Sequence, residues 1–259
     1  MTTVLFEKSG PIAHITLNRP EQMNAMNIDL IEGLFDAMKQ CEDSEVRAVV
    51  LKGNGRVFCA GGDIRKFNEF IDTGTTIPTR MPDRLHEMVE ALRNLDKPVL
   101  ASVHGAAAGA GAPLALACDL VIAAEDSVFN FAYARIGLTP DGSSTYFLPR
   151  HVGMKKATEL FMLNATLPAS EAKALGLINW TVPVAELASK TEEIARQLAK
   201  GPTKALGRLK KLMNATYDNN LHDQLALETK HICDSSTTAD FKEGIKAFLA
   251  KKAPEFKGR

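Results

Sequence analysis

Apolar positions in the first half of the chain recur with two alternating periods. Val4–Lys8 and Ile12–Asn18 are strand-like runs separated by Ser9-Gly10-Pro11, which predicts two strands joined by a tight turn. Asn18-Arg19-Pro20 ends the second strand, and Leu30, Ile31, Leu34, Phe35 and Met38 then fall on one helical face. Val46–Lys52 predicts a valine-rich strand, broken by Gly53-Asn54-Gly55, and Val57-Phe58-Cys59 predicts another short one. A polar loop is expected from Asp72 to Pro82. Leu85, Met88, Val89, Leu92 and Leu95 mark the next helix, which Lys97-Pro98 stops. A strand at Val99–Val103, a small-residue turn, a helix and a strand at Leu120–Ala124 follow. The recurrence predicts a spiral of β-β-α repeats.

Beyond about Pro149 the period is helical. Lys155–Leu163, Ala169–Leu175, Pro183–Lys200, Thr203–Thr216 and Asp240–Ala250 all read as amphipathic helices. No low-complexity linker intervenes. The division expected is an α/β core over 1–195 and a helical region over 196–259 that belongs to the same functional unit. Pro98–Cys118 carries no charge and is long enough to cross a bilayer. Three glycines, two prolines and His104 interrupt it, so a buried strand, turn and helix is expected and no membrane partner.

Composition narrows the function classes. Of 259 residues 45% are hydrophobic, enough to build a sizeable core. Lys+Arg and Asp+Glu balance at 31 each, which argues against nucleic acid as a partner. Cys41, Cys59, Cys118 and Cys233 form no CxxC pair, and the six histidines no HExxH spacing. Reduced thiols in a cytoplasmic protein are expected, with no metal site. The start, MTTVLFEKSG, lacks the charged and apolar regions of a signal peptide.

Two segments carry candidate chemistry. Phe58-Cys59-Ala60-Gly61-Gly62-Asp63-Ile64 runs from a strand through a small-residue turn into a helix. Val103-His104-Gly105 through Ala110-Gly111-Ala112-Pro113 does the same, with Pro113 in the first turn of its helix. Backbone N–H groups at such turns can bind an oxygen that becomes negative. Taken alone, the first reads as an ordinary strand-to-helix turn, and the second reads equally as close helix–strand packing.

Taken with Leu17-Asn18-Arg19-Pro20-Glu21-Gln22-Met23-Asn24-Ala25-Met26, Lys97-Pro98-Val99, Gly137-Leu138-Thr139-Pro140-Asp141, Leu148-Pro149-Arg150 and Ala172–Ile178, they make the chain resemble the enoyl-CoA hydratase/isomerase (crotonase) superfamily from end to end. The resemblance implies a crotonase-like α/β spiral whose C-terminal helices build a homotrimer, or a hexamer as a dimer of trimers. It implies an acyl-CoA thioester, with coenzyme A part of the substrate and no permanently bound cofactor. It places the oxyanion-hole N–H groups at Gly62 and Ala110. Ala60, Gly62, Asp63, Ile64, Arg65 and Ala110 would line the CoA.

Hydratases of this superfamily hold water between two glutamates. The matching positions here are Pro113 and Tyr133, and neither does acid–base work near neutrality, since a phenol ordinarily titrates near ~10. Asp141 remains. Pro140-Asp141-Gly142 is a turn sequence in its own right. Phe131–Arg150, Ala107–Asp119 and the Phe248–Phe256 tail, however, resemble the branch that isomerises ring-opened phenylacetyl-CoA epoxide, where this aspartate is the acid/base. His86 flanks the Leu85/Met88/Leu92 stripe as a partly exposed helix residue. In the resembling 4-chlorobenzoyl-CoA dehalogenases a histidine at this spacing activates water and the aspartate is the nucleophile. Tyr133 falls on one tryptophan of that branch, whereas Leu85 replaces another. The function expected is an enoyl-CoA isomerase, in fatty acid or aromatic acid catabolism, that moves a double bond through Asp141. Hydration without the glutamate pair, dehalogenase-like or thioesterase chemistry, and a CoA-ester binding protein are the alternatives. The Phe67–Pro82 loop is expected to shape the acyl pocket. One or two of Lys204, Arg208, Lys211, Lys251, Lys252, Lys257 and Arg259 are candidates for the CoA phosphates.

Overall fold

The computed structural model describes residues 2–259. β1 (Val4–Ser9) and β2 (Ile12–Leu17) form an antiparallel hairpin. Helix α1 (Ile28–Gln40) follows, its first turn capped by the Asn27 side chain, which accepts from the Leu30 N–H. β3 (Ala48–Gly53), α2 (Ile64–Asp72), α3 (Arg80–Asn94), β4 (Val99–Val103), β5 (Ala106–Ala108), α4 (Gly111–Leu116), β6 (Leu120–Ala124) and β7 (Val128–Asn130) complete the first half. The second half comprises α5 (Ser144–Met162), β8 (Thr166–Pro168), α6 (Ala169–Ala174), β9 (Trp180–Val182), α7 (Leu187–Lys200), α8 (Thr203–Ala215), α9 (Leu221–Ser236) and α10 (Ala239–Leu249). α5 breaks at Gly153, whose φ of 76° leaves the helical region.

The main sheet has the order β1-β2-β3-β4-β6-β9 and is parallel from β2 onward. Its central strands are buried on both faces, so they read as continuous apolar runs. Val49, Leu51, Val99 and Ala101 face the larger core with α1 and α3. Ala48, Val50, Leu100 and Ile122 face α7 through Ile194, Ala195 and Ala199. The division expected at 195/196 therefore falls inside a helix packed on the sheet. A second sheet, β5-β7-β8, lies beside the first. The α/β core with a helical C-terminal region is the arrangement expected from the sequence.

Several local expectations change. Val57-Phe58-Cys59 is not a strand; Cys59 makes only an isolated bridge to Ala107. After Gly55, at φ +85°, the chain turns from the first sheet toward the second, too briefly to form a ladder. The Asp72–Pro82 loop is shorter than expected because α3 already starts at Arg80. β5, β7, β8 and β9 have three residues each, too few for any period to show. α9 escaped detection because it buries none of its residues. Pro98–Cys118 spans β4, β5 and α4, and among the described residues no helix is long and apolar enough to cross a membrane.

Candidate active site

The two small-residue turns lie against each other. The Cys59 N–H donates to Ala106 O at 3.1 Å and the Ala108 N–H to Cys59 O at 2.9 Å. Gly61 has φ +100°, and a Cβ there would sit 2.9 Å from Ala108 O and 3.3 Å from the Ala110 nitrogen. A Cβ on Gly109 would lie 4.0 Å from the Gly62 nitrogen. Glycine is thus required where the backbones touch. Among the described residues, the Gly62 and Ala110 N–H groups donate to no acceptor of the chain. Two unpaired donors at adjacent turns can together receive one carbonyl oxygen.

The Leu17–Met26 segment is the mould for this turn. Asn24, fully buried at φ 54°, donates through Nδ2 to the carbonyls of Asn54, Val57 and Phe58, and its Oδ1 accepts from the Arg19 N–H. Met26 takes Gly61 O at 2.6 Å through its N–H and gives its own carbonyl to the Asp63 N–H at 2.9 Å. Arg19 closes the arrangement by pairing with Asp63 at 2.8 Å and donating to Ala25 O. Asp63 is itself buried and caps α2 through the Arg65 N–H. Its side chain therefore supports the turn, whereas Ile64 and Arg65 point outward and Ala60 and Gly62 are half-buried. Phe67, in the first turn of α2, lies over Gly62, where a Cβ would come 2.8 Å from its ring. Burial pushes the Cys59 thiol up to about 12, so it is no nucleophile. Asn24 and Arg19 were not found as site residues by sequence reasoning, whereas Phe67 opens the segment expected to shape the acyl pocket and lies in α2 instead of a loop. The Asn24 signal was present inside the quoted motif, but its partners are carbonyls, which leave no trace in side-chain patterns.

Asp141 sits on a turn built from three elements. Its carbonyl accepts from the Tyr133 hydroxyl at 3.3 Å, from the Ser144 N–H at 3.0 Å and from the Ser144 hydroxyl. On the far side of the same peptide, the Gly142 N–H donates to His86 Nε2 at 3.3 Å. Gly142 has φ +58°, and a Cβ there would meet Leu85 at 3.3 Å and Pro113 at 3.6 Å. The structure thus gathers Leu85 and His86, Pro113, and Tyr133 and Asp141 from three separate parts of the chain. Tyr133 is buried, and desolvation, reinforced by the Asp141 charge, drives its phenol far above the ordinary range. It remains a hydrogen-bond donor.

A cavity of about 1200 Å³ opens beside this turn, lined by His86, Asp141, Leu116, Phe147, Leu209 and Met213 among others. Of its carboxylates, Asp119 is paired with Arg93 at 3.1 Å and Lys210 at 2.9 Å, and Glu90 is exposed. Asp141 Oδ1 is buried and has no hydrogen-bond partner. Lys210 is also buried, and desolvation lowers its pKa; it donates to Leu92 O at 2.9 Å and holds α8 to α3. Of the basic stripe, Arg208 bonds Ser235 and Lys211 pairs with Asp96.

Gly62 and Ala110 do not line this cavity, whose walls carry Asp141. The whole chain has counterparts among known proteins. Residues 7–259 match the family model described as enoyl-CoA hydratase/isomerase. The chain belongs to that family. It is 41% identical to a probable enoyl-CoA hydratase of Rhodobacter capsulatus, over 99% of this chain and 98% of that one. It is 39% identical to the 1,2-epoxyphenylacetyl-CoA isomerase of Escherichia coli, over the whole of both. The crystal structure of an enoyl-CoA hydratase from Polaromonas sp. JS666 superposes with a TM-score of 0.94 at 34% identity, covering 98% of this chain and 99% of that one.

Proposed function

We propose that the protein is an enoyl-CoA isomerase in which Asp141 carries the proton. The observation that supports this reading most directly is the buried, unpartnered Oδ1 of Asp141, beside positions 113 and 133 that hold no carboxylate. The thioester oxygen accepts from the Gly62 and Ala110 N–H groups. Asp141 removes a proton from one carbon, and the C–H electrons move into the conjugated system to form an enolate. The same carboxylic acid returns the proton two carbons away. One C–H bond breaks, one forms, the double bond shifts and no atom is lost. The oxygen gains charge only as the proton leaves, so the two N–H groups bind the transition state more strongly than the substrate; one such donor is worth about 3 kcal/mol. The chemistry requires no group beyond the substrate's own thioester. The reading extends to coenzyme A along Ala60–Arg65, to work in the cytoplasm, where the four thiols stay reduced, and to assembly as a trimer or a dimer of trimers.

Hydration is the second reading, supported by the 41% identical relative that bears a hydratase name. It lacks the usual pair of carboxylates here. Hydrolytic chemistry with His86 as base is less favoured, because Nε2 already accepts from the Gly142 N–H. A panel of enoyl-CoA and aryl-acyl-CoA esters tests all three. The expected outcome is double-bond migration without water addition or CoA release. In Asp141→Asn, folding and CoA-ester binding persist while turnover falls on the order of a hundredfold or more. Wild-type turnover in that variant would sink the assignment.

A further inference from the structure

One oxygen of the Asp141 carboxylate, Oδ1, is buried without a hydrogen-bond partner, and the Tyr133 phenol lies beside the carboxylate. With one oxygen unheld, the direction of the side chain depends on the backbone that carries it. That backbone is one peptide plane, between Asp141 and Gly142, and it is held at both edges. Its carbonyl is gripped by Tyr133 and Ser144, from the segment around α5. Its N–H is gripped by His86, from α3. Rotation of this plane swings the Asp141 Cα–Cβ bond, and a misplacement of an ångström can cost two orders of magnitude in rate.

We infer that His86 is a positioning residue that aims Asp141 by accepting the Gly142 N–H, and that it is not a base in the reaction. The imidazole nitrogen facing Gly142 must be unprotonated to accept, so the ring carries its proton on Nδ1. Gly142 cannot replace this contact by local adjustment. It is already at φ +58° and packed against Leu85 and Pro113. His86 itself is exposed on α3, so replacing it removes the hydrogen bond without emptying the core.

The inference rests on Asp141 as proton carrier, and two variants separate the roles. His86→Gln retains a neutral acceptor of similar reach; His86→Leu has none. For a positioning role, His86→Gln keeps kcat within about twofold, whereas His86→Leu loses on the order of tenfold in kcat with KM little changed. A readout independent of turnover is deuterium exchange of the peptide containing Gly142. Exchange there accelerates in His86→Leu and stays slow in His86→Gln. Wild-type kcat or unchanged exchange in His86→Leu would overturn the inference. Equal loss of kcat in both variants would also overturn it, by showing that the imidazole itself does chemistry. If Asp141→Asn is inactive while His86→Leu is fully active, only the positioning role fails. If Asp141→Asn keeps full activity, the isomerase reading itself fails.

Discussion

Asn24 shows how much of the site is carried by residues that never touch substrate. Its amide satisfies three carbonyls and one backbone N–H around the Gly61-Gly62 turn. Asn24→Ala leaves those groups buried and unpaired, with a cost of roughly 3 kcal/mol or more, since each costs about 1–3 kcal/mol. Asn24→Asp is expected to be worse, because it turns a carboxylate toward the three carbonyls. Thermal melts should rank the stabilities as wild type, then Ala, then Asp. An Asp variant as stable as wild type would refute this account of the mould. At this scale the small-residue turns and the Pro-Asp-Gly turn were legible from composition, and Gly62, Ala110 and Asp141 were singled out within them by the family resemblance. The aim of Asp141 was not legible, because it depends on His86, which reaches Gly142 from another helix.

Among the elements, the C-terminal tail is held by a device that periodicity does not register. Asp240, in the first turn of α10, is 3% exposed and accepts the Lys257 N–H at 2.6 Å and the Gly258 N–H at 2.8 Å. Its own N–H donates to Arg259 O, and Arg47 holds Phe256 O at 2.9 Å. Asp240→Asn places an amide N–H₂ where one of the two N–H groups needs an acceptor. Carboxypeptidase should then remove the last residues faster than in wild type, while circular dichroism shows the core helices unchanged. Equal trimming rates would show that the Asp240 clamp does not hold the tail. Helices α1, α3 and α7 were legible because each lays an apolar stripe on the core, and α8 and α10 because their apolar residues keep helical spacing although Leu209, Met213, Phe248 and Leu249 stay exposed. α9 was not, since Leu221, Leu225 and Ile232 remain exposed and no face is buried within the chain.

For the molecule as a whole, those exposed side chains bear on assembly. Leu221 at 76%, Ile232 at 70%, Phe248 at 81% and Leu249 at 76% exposure are all on α9 and α10. Large apolar side chains left exposed on neighbouring helices mark interaction sites. With a trimer, light scattering gives three or six times the mass of one chain, and Ile232→Glu with Phe248→Glu shifts it toward the monomer. A wild-type monomer at micromolar concentration would exclude the assembly.

The sequence by itself determined the alternation of strands and helices in the first half, the helical second half, the two backbone turns and the absence of the glutamate pair. The elements and turns follow from local periods and from residue types with special backbone freedom; that Pro113 and Tyr133 stand where relatives carry glutamates follows from the family resemblance. Tertiary structure decided which of these meet. It brought the Gly62 and Ala110 turns into contact, placed Leu85, His86, Pro113 and Tyr133 around Asp141, and turned Asp63 inward to Arg19. Those contacts join positions far apart in the chain and run largely through backbone N–H and carbonyl groups. Every residue carries both groups, so no side-chain pattern can announce which of them pair.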